Sequence, residues 1–252
     1  MAKQKGIIKL KGTIGDITFY KSKDGFIARE KTTIDAKRIA TDPAFQRTRE
    51  NGAEFGRAGK ASKVLRNAFR PVFKNSADSR MTSRLTQAMM KVVQADLVSV
   101  RGKRNVIDGE AALLQGFEFN GGAKLETTLF APYLPTIDRT AGEISLRVPS
   151  FVPADMLAAP AGTTHFRIYS AGAEIDFEQE AFRMESSEST IMSWDTTQTM
   201  EVVQVNQVTA DSTWPLFLVV VVEFYQMVNA QLYPLKNGSY NPLSLVKVDG
   251  GA

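Results

Sequence analysis

Seven consecutive apolar residues, Leu216–Val222 (LFLVVVV), halted by Glu223, constrain this chain more than any other stretch. A strand with one wet face alternates apolar and polar side chains, and this run does not alternate. It is also far short of the roughly 20 residues that cross a bilayer. The run therefore predicts a central strand covered on both faces, and the fold must supply a layer on each side of it.

The surrounding sequence predicts where those layers come from. From Phe117 onward, Lys124–Phe130, Glu143–Val148, Thr164–Tyr169, Met200–Val208, Leu216–Val228 and Leu243–Val248 are rich in Val, Ile, Thr and aromatic residues, and Gly, Pro, Asn and Ser clusters separate them. That spacing predicts an antiparallel β-sandwich. Lys236-Asn237-Gly238-Ser239 carries an Asn-Gly turn signal for a C-terminal hairpin.

The first part of the chain reads differently. Ile8 and Leu10, Ile17 and Phe19, and Phe26 and Ala28 pair at period two, with Gly12, Gly15 and Asp24-Gly25 at the turns. A β-hairpin or three-strand meander follows, and a unit of that size is marginal alone. Thr41-Asp42-Pro43 then signals a helix start, because a capping side chain precedes proline at the first helical position. Phe45, Phe55, Leu65, Phe69, Val72 and Phe73 mark its apolar face. Gly52, Gly56 and Gly59 predict a bend near 56–59 or close packing on another backbone, since each glycine costs a helix about 1 kcal/mol relative to alanine. Met81, Leu85, Met89, Val92 and Val93 form the stripe of a second helix, expected to pair antiparallel with the first, and Glu110–Leu114 a short helical turn. The expected fold is α+β: a β-hairpin arm over 1–38, a basic helical region with a helical hairpin over 39–115, and an acidic antiparallel β-sandwich over 116–252.

The net charge of +4 conceals an asymmetry. Residues 1–105 hold 24 Lys+Arg against 9 Asp+Glu, net +15, whereas residues 106–252 hold 7 against 18, net −11. Opposite halves fit either a basic module for a polyanion or subunits that attract head to tail. Within the series Arg47, Arg49, Arg57, Lys60, Lys63, Arg66, Arg70 and Lys74, the last four step by three and four along one helix face. Arg57, Lys60, Lys63, Arg66, Arg70 and Lys74 are the expected basic contact face. Alternate acids in AEIDFEQE, namely Glu174, Asp176, Glu178 and Glu180, are the expected acidic one.

The absence of cysteine excludes disulfides, thiolate nucleophiles and cysteine metal sites, and the single His165 cannot complete a two-histidine site. No G-x-S-x-G elbow accompanies that histidine. The likeness to a phosphate-binding loop around Gly59-Lys60 fails, because Glu54 stands where glycine is needed and Ala61 where a hydroxyl is needed. No cofactor is expected. Zinc-finger, RNP and helix-turn-helix signatures are absent, so base readout lacks support, although the basic row can bind phosphates. A carboxylate-dependent hydrolase using Glu178 and Glu180 is a third, weaker reading. The N-terminus lacks the apolar core of a secretory signal, so a cytoplasmic protein, or a particle assembled in the cytoplasm, is expected, without membrane insertion.

The segments KGTIGDITFYKSKDGFIAREK, DPAFQRTRENGAEFGRAGKASKVLR and FLVVVVEFYQMVNAQLYPLKNGSYNPLSLVKVDG resemble an uncharacterised protein family of Bacteroidota. The hairpin pattern K-G-x-[IV]-G-[DN] before R-E-N-x-x-E-F-G is also similar to a related group found near phage-like genes. The resemblance implies a shared architecture and no catalytic residue. Taken together, these features lead to the expectation of a non-enzymatic structural or assembly protein that pairs with itself as a filament, tube or phage-like element. The arm residues Ile8, Leu10, Ile17 and Phe19 would then make strand-edge or apolar contacts. The alternative is a nucleic-acid-associated protein that binds phosphates through the helical region.

Overall fold

The computed structural model describes residues 2–22, 24–31, 35–73, 76, 78–235 and 240–251. Two compact units divide the chain, residues 1–49 and 50–252.

In the first unit, strands β1 (Ala2–Lys3), β2 (Gly12–Ile14), β3 (Ile17–Ser22) and β4 (Gly25–Glu30) form an antiparallel sheet in the order β1-β4-β3-β2. The expected strands about Ile17/Phe19 and Phe26/Ala28 are present, whereas Ile8 and Leu10 lie in an irregular segment between β1 and β2, and Gly12, expected at a turn, sits in β2. Gly15 turns the chain between β2 and β3 at φ 55°, a conformation glycine reaches without a Cβ penalty. A short helix α1 (Ala36–Thr41) follows, capped by the Asp35 carboxylate accepting from Lys37 N–H. Asp42 then caps the 3-10 turn Pro43–Phe45, as the Thr41-Asp42-Pro43 signal predicts.

Helix α2 (Gln46–Ala68) runs unbroken through all three glycines. The glycines do not interrupt it, and the close packing does not occur: a Cβ at Gly52, Gly56 or Gly59 would meet nothing within 4 Å. The helix tolerates them because its buried side, Ala58, Ala61, Val64, Leu65 and Ala68, lies elsewhere on its circumference. Pro71 sits in a 3-10 turn just past its end. Helix α3 (Met81–Gln94) buries all five residues of the predicted stripe.

The β part comprises β5 (Leu134–Asp138), β6 (Glu143–Val148), a one-turn helix α4 (Pro153–Met156), β7 (His165–Asp176), β8 (Ala181–Glu188), β9 (Met192–Ser193), β10 (Val202–Gln207), β11 (Leu216–Val228), β12 (Gln231–Pro234) and β13 (Leu243–Asp249). One sheet orders β12-β11-β7-β8, with β13 also on β11 and β9 on β7; the other orders β10-β6-β5. All pairings are antiparallel. The expected strand over Lys124–Phe130 is instead a 3-10 turn, Leu125–Thr127, plus a single bridge from Leu129 to Leu157. Leu125 and Leu129 are buried there as plugs rather than ladder residues. The predicted C-terminal turn, Lys236–Ser239, lies outside the described residues.

Strand β11 is the axis of the second unit. Each residue from Leu216 to Val222 is 0% exposed. Phe217, Val219 and Val221 face a core made with α2 and α3, while Leu216, Leu218, Val220 and Val222 face a second core made with β6 and β10. The helices thus cover one face of the large sheet and the small sheet covers the other. This shared core is why residues 50–115 belong to the same unit as the sandwich and do not stand as a region of their own. Gly172 on β7 lets the two sheets close, since a Cβ there would fall 2.9 Å from Asn206 Cβ.

Candidate functional site

Register assigns every side chain of the N-terminal sheet to a face. Ile17 opposes Ile14 and Glu30, Phe19 opposes Gly12 and Ala28, and Lys21 opposes Phe26. One face therefore carries Ala2, Ile14, Ile17, Phe19, Phe26 and Ala28, with Glu30 at one end and Lys21 at the other. The other face carries Lys3, Thr13, Thr18, Tyr20, Ile27 and Arg29. Arg29 lies over the Tyr20 ring at 5.6 Å, and the hydroxyls of Thr13 and Thr18 are 3.3 Å apart. None of the described residues among 2–49 is buried. Ile8, Leu10 and Ile17 are exposed and Phe19 is half-buried, and the sequence reading overlooked Ile7 and Ile14, which are also exposed.

In the second unit, the predicted basic and acidic faces are partly joined within one chain. Lys60 Nζ pairs with Glu180 Oε1 at 3.0 Å. Arg57 is turned inward, its Nε donating to Arg104 O at 2.5 Å and its terminal nitrogen to Gly102 O. Arg66 Nε donates to Ser62 O at 3.3 Å. Lys63 and Arg70 are exposed, and Lys74 lies outside the described residues. The acids do not form one solvated strand face. Strand β7 ends at Asp176, so Glu178 and Glu180 sit in the turn to β8, where Asp176 Oδ1 accepts from the N–H of Glu178 and Gln179. Glu174 is buried and receives the Thr209 N–H and hydroxyl at 3.2 and 2.5 Å. Glu178 is exposed and makes no ion pair among the described residues.

Two small pockets meet at this turn. One, about 210 Å³, lies among Arg57, Lys60, Ile107, Phe177, Glu178 and Glu180. The other, about 200 Å³, has walls of Ile107, Phe177, Trp214 and Pro215 with Asp176 and Glu178 at its rim.

Sequence reasoning missed a buried polar cluster across β7 and β11. Glu223 accepts from Arg167 and from the Tyr225 hydroxyl, both at 2.7 Å, and from the Tyr169 hydroxyl at 3.4 Å. Arg167 also pairs with Glu188 and lies over both tyrosine rings. Burial, and then the Glu223 carboxylate, push both phenols well above their ordinary range, so they act as neutral donors. Its only signal in the sequence is that charged residues interrupt strands otherwise buried throughout. His165 Nδ1 lies 2.9 Å from Thr164 Oγ1, a local contact of the kind expected for a strand histidine.

Among the described residues no group of three His, Asp or Glu side chains is arranged to hold a metal ion, and no helix is long and apolar enough to cross a membrane. No protein-family model, curated protein or solved structure matches this chain.

Proposed function

We propose that this protein is a non-enzymatic assembly protein that associates with further copies of itself, with the N-terminal sheet as a docking module. The observation that carries the reading is a folded four-stranded sheet with an apolar face and no buried residue. Sheets gain their stability by covering such a face. A second copy is a fitting cover, because Lys21 and Glu30 lie at opposite ends of the face and a two-fold stacking sets each against the other. Strands of two, three, six and six residues present roughly 300 Å² per copy. A stable dimer buries about 800 Å² per partner, so this contact works as one of several in a larger assembly.

Sedimentation velocity and negative-stain microscopy of the full chain test the reading. Large, regular particles are expected, and Ile14→Lys with Ile17→Lys should reduce them to small species without loss of secondary structure. A wild-type chain that stays monomeric at all accessible concentrations removes the proposal.

The face that carries Lys3, Tyr20 and Arg29 supports a second reading, nucleic-acid association. Residues 1–49 hold 12 Lys+Arg against 5 Asp+Glu, and a cation stacked on Tyr20 resembles a surface for phosphates and bases. That reading requires nucleic acid to co-purify at low salt and to be released steeply as salt rises.

A further inference from the structure

The connection after α3 carries an exposed apolar tip. Leu97, Val98 and Val100 are 94%, 81% and 68% exposed. They are nonetheless held in a fixed loop. The buried Asp96 carboxylate accepts from the N–H of Val98 and Ser99 at 2.8 Å and of Asn105 at 3.1 Å. Glu54, itself buried on α2, accepts from Gly102 N–H at 2.7 Å, and Arg57 holds the carbonyls of Gly102 and Arg104. The side chains are thus preorganised outward, which lowers the entropy lost when a partner covers them. Cations flank the tip: Arg101, which reaches Glu50 and Asn51, and Lys103, which makes no ion pair among the described residues.

A cationic apolar knob calls for an apolar socket rimmed by carboxylates. The pocket of about 200 Å³ walled by Ile107, Phe177, Trp214 and Pro215 has that character, with Asp176 and Glu178 at its mouth and room for one or two branched aliphatic side chains. The larger groove between α2 and α3, about 640 Å³, does not match, because its charged lining residue is Lys91. We infer that the Leu97–Val100 tip of one copy seats in the Ile107–Phe177–Trp214 pocket of the next, with Lys103 and Arg101 facing Glu178 and Asp176. Knob and socket are different patches, so the contact is heterologous and propagates unless rotation closes a ring. The inference rests on the assembly reading and adds to it a second contact, distinct from the stacking of N-terminal sheets.

The test uses the full chain. Lys103→Glu and Glu178→Lys each set like charges across the contact and should raise the concentration for half-maximal assembly about tenfold. Combining both in one chain, or mixing the two single variants, should restore it to within about threefold of wild type. Leu97→Ser should impair assembly on its own, and circular dichroism checks that each variant folds. If wild type assembles and all three variants assemble at its concentration, the knob and socket are wrong while the assembly reading stands. A wild type that never assembles overturns both. Loss of assembly in both charge variants without rescue by their combination also overturns the pairing. So does binding of wild type, but not Leu97→Ser, to phosphatidylserine vesicles, which assigns the tip to an anionic membrane surface.

Discussion

Glu118 is the residue whose protonation matters most near neutral pH. Burial pushes its carboxyl up to about 7, against the N–H of Leu125 and the Ser244 hydroxyl, which favour the charged form. One of its oxygens is buried without a partner. The folded state therefore binds a proton that the unfolded chain releases near 4.5, and stability falls as pH rises from about 4.5 to about 7. Other shifted carboxyls act in a separate window. Asp249 is held down by Arg139, and in Asp96 burial is outweighed by backbone N–H donors, so their stabilisation is lost only as pH falls below the ordinary carboxylate range. Glu118→Gln mimics the protonated acid. It should gain about 1–2 kcal/mol at pH 8, with allowance for solvent contact, and little at pH 5, as read by denaturant titration at both values.

At the scale of elements, α2 makes a second prediction. Its glycines are helical with open space where a Cβ would stand, so Gly52→Ala and Gly56→Ala should each stabilise the folded chain by about 1 kcal/mol. Thermal melts of dilute protein measure this as a rise of about 2–4 °C. The same helix shows what sequence can and cannot reveal. Its start follows from the local chemistry of Asp42-Pro43, whereas its buried side depends on where the core lies: Phe55 of the expected apolar face is 59% exposed, and Ala58, Ala61, Val64 and Ala68 are buried beside Leu65. Strand β11 was legible because an unbroken apolar run has one way to be satisfied. Strand β10 was legible as a strand but its faces are counter-intuitive. Gln204 and Asn206 point inward, and Val203 and Val205 outward. The inward amides find partners unseen in a local pattern: Gln204 donates to Ile168 O at 2.8 Å and Asn206 to Ser170 Oγ at 2.9 Å. The Asp96 loop and the Arg167–Glu223 cluster were missed for the same reason, since their meaning comes from residues far apart in sequence.

Over the whole molecule, the charge asymmetry divides into a part used inside the chain and a part left outside. Lys60–Glu180, Arg57 and the buried Glu174 belong to the folding of the second unit, so the basic and acidic halves are not two free plates. Among the described residues, Lys63, Arg70, Lys103 and Glu178 are exposed and make no ion pair. These groups can steer copies together, and assembly should slow as salt screens them, whereas the apolar contacts set how tightly copies hold. The two units predict different fates on truncation. Residues 50–252 own both hydrophobic cores, and residues 2–49 contribute to neither. A chain beginning at Gln46 keeps all of α2 and should retain a cooperative unfolding transition close to that of the full chain. It loses the sheet face but keeps the Leu97–Val100 knob and its socket. Under the proposed two-contact scheme it should form short heterologous oligomers at high concentration and no extended particles, which sedimentation velocity across a concentration series resolves. Extended particles from this truncated chain would place the N-terminal sheet outside the assembly, and loss of its unfolding transition would mean that the sheet supports the fold of the second unit.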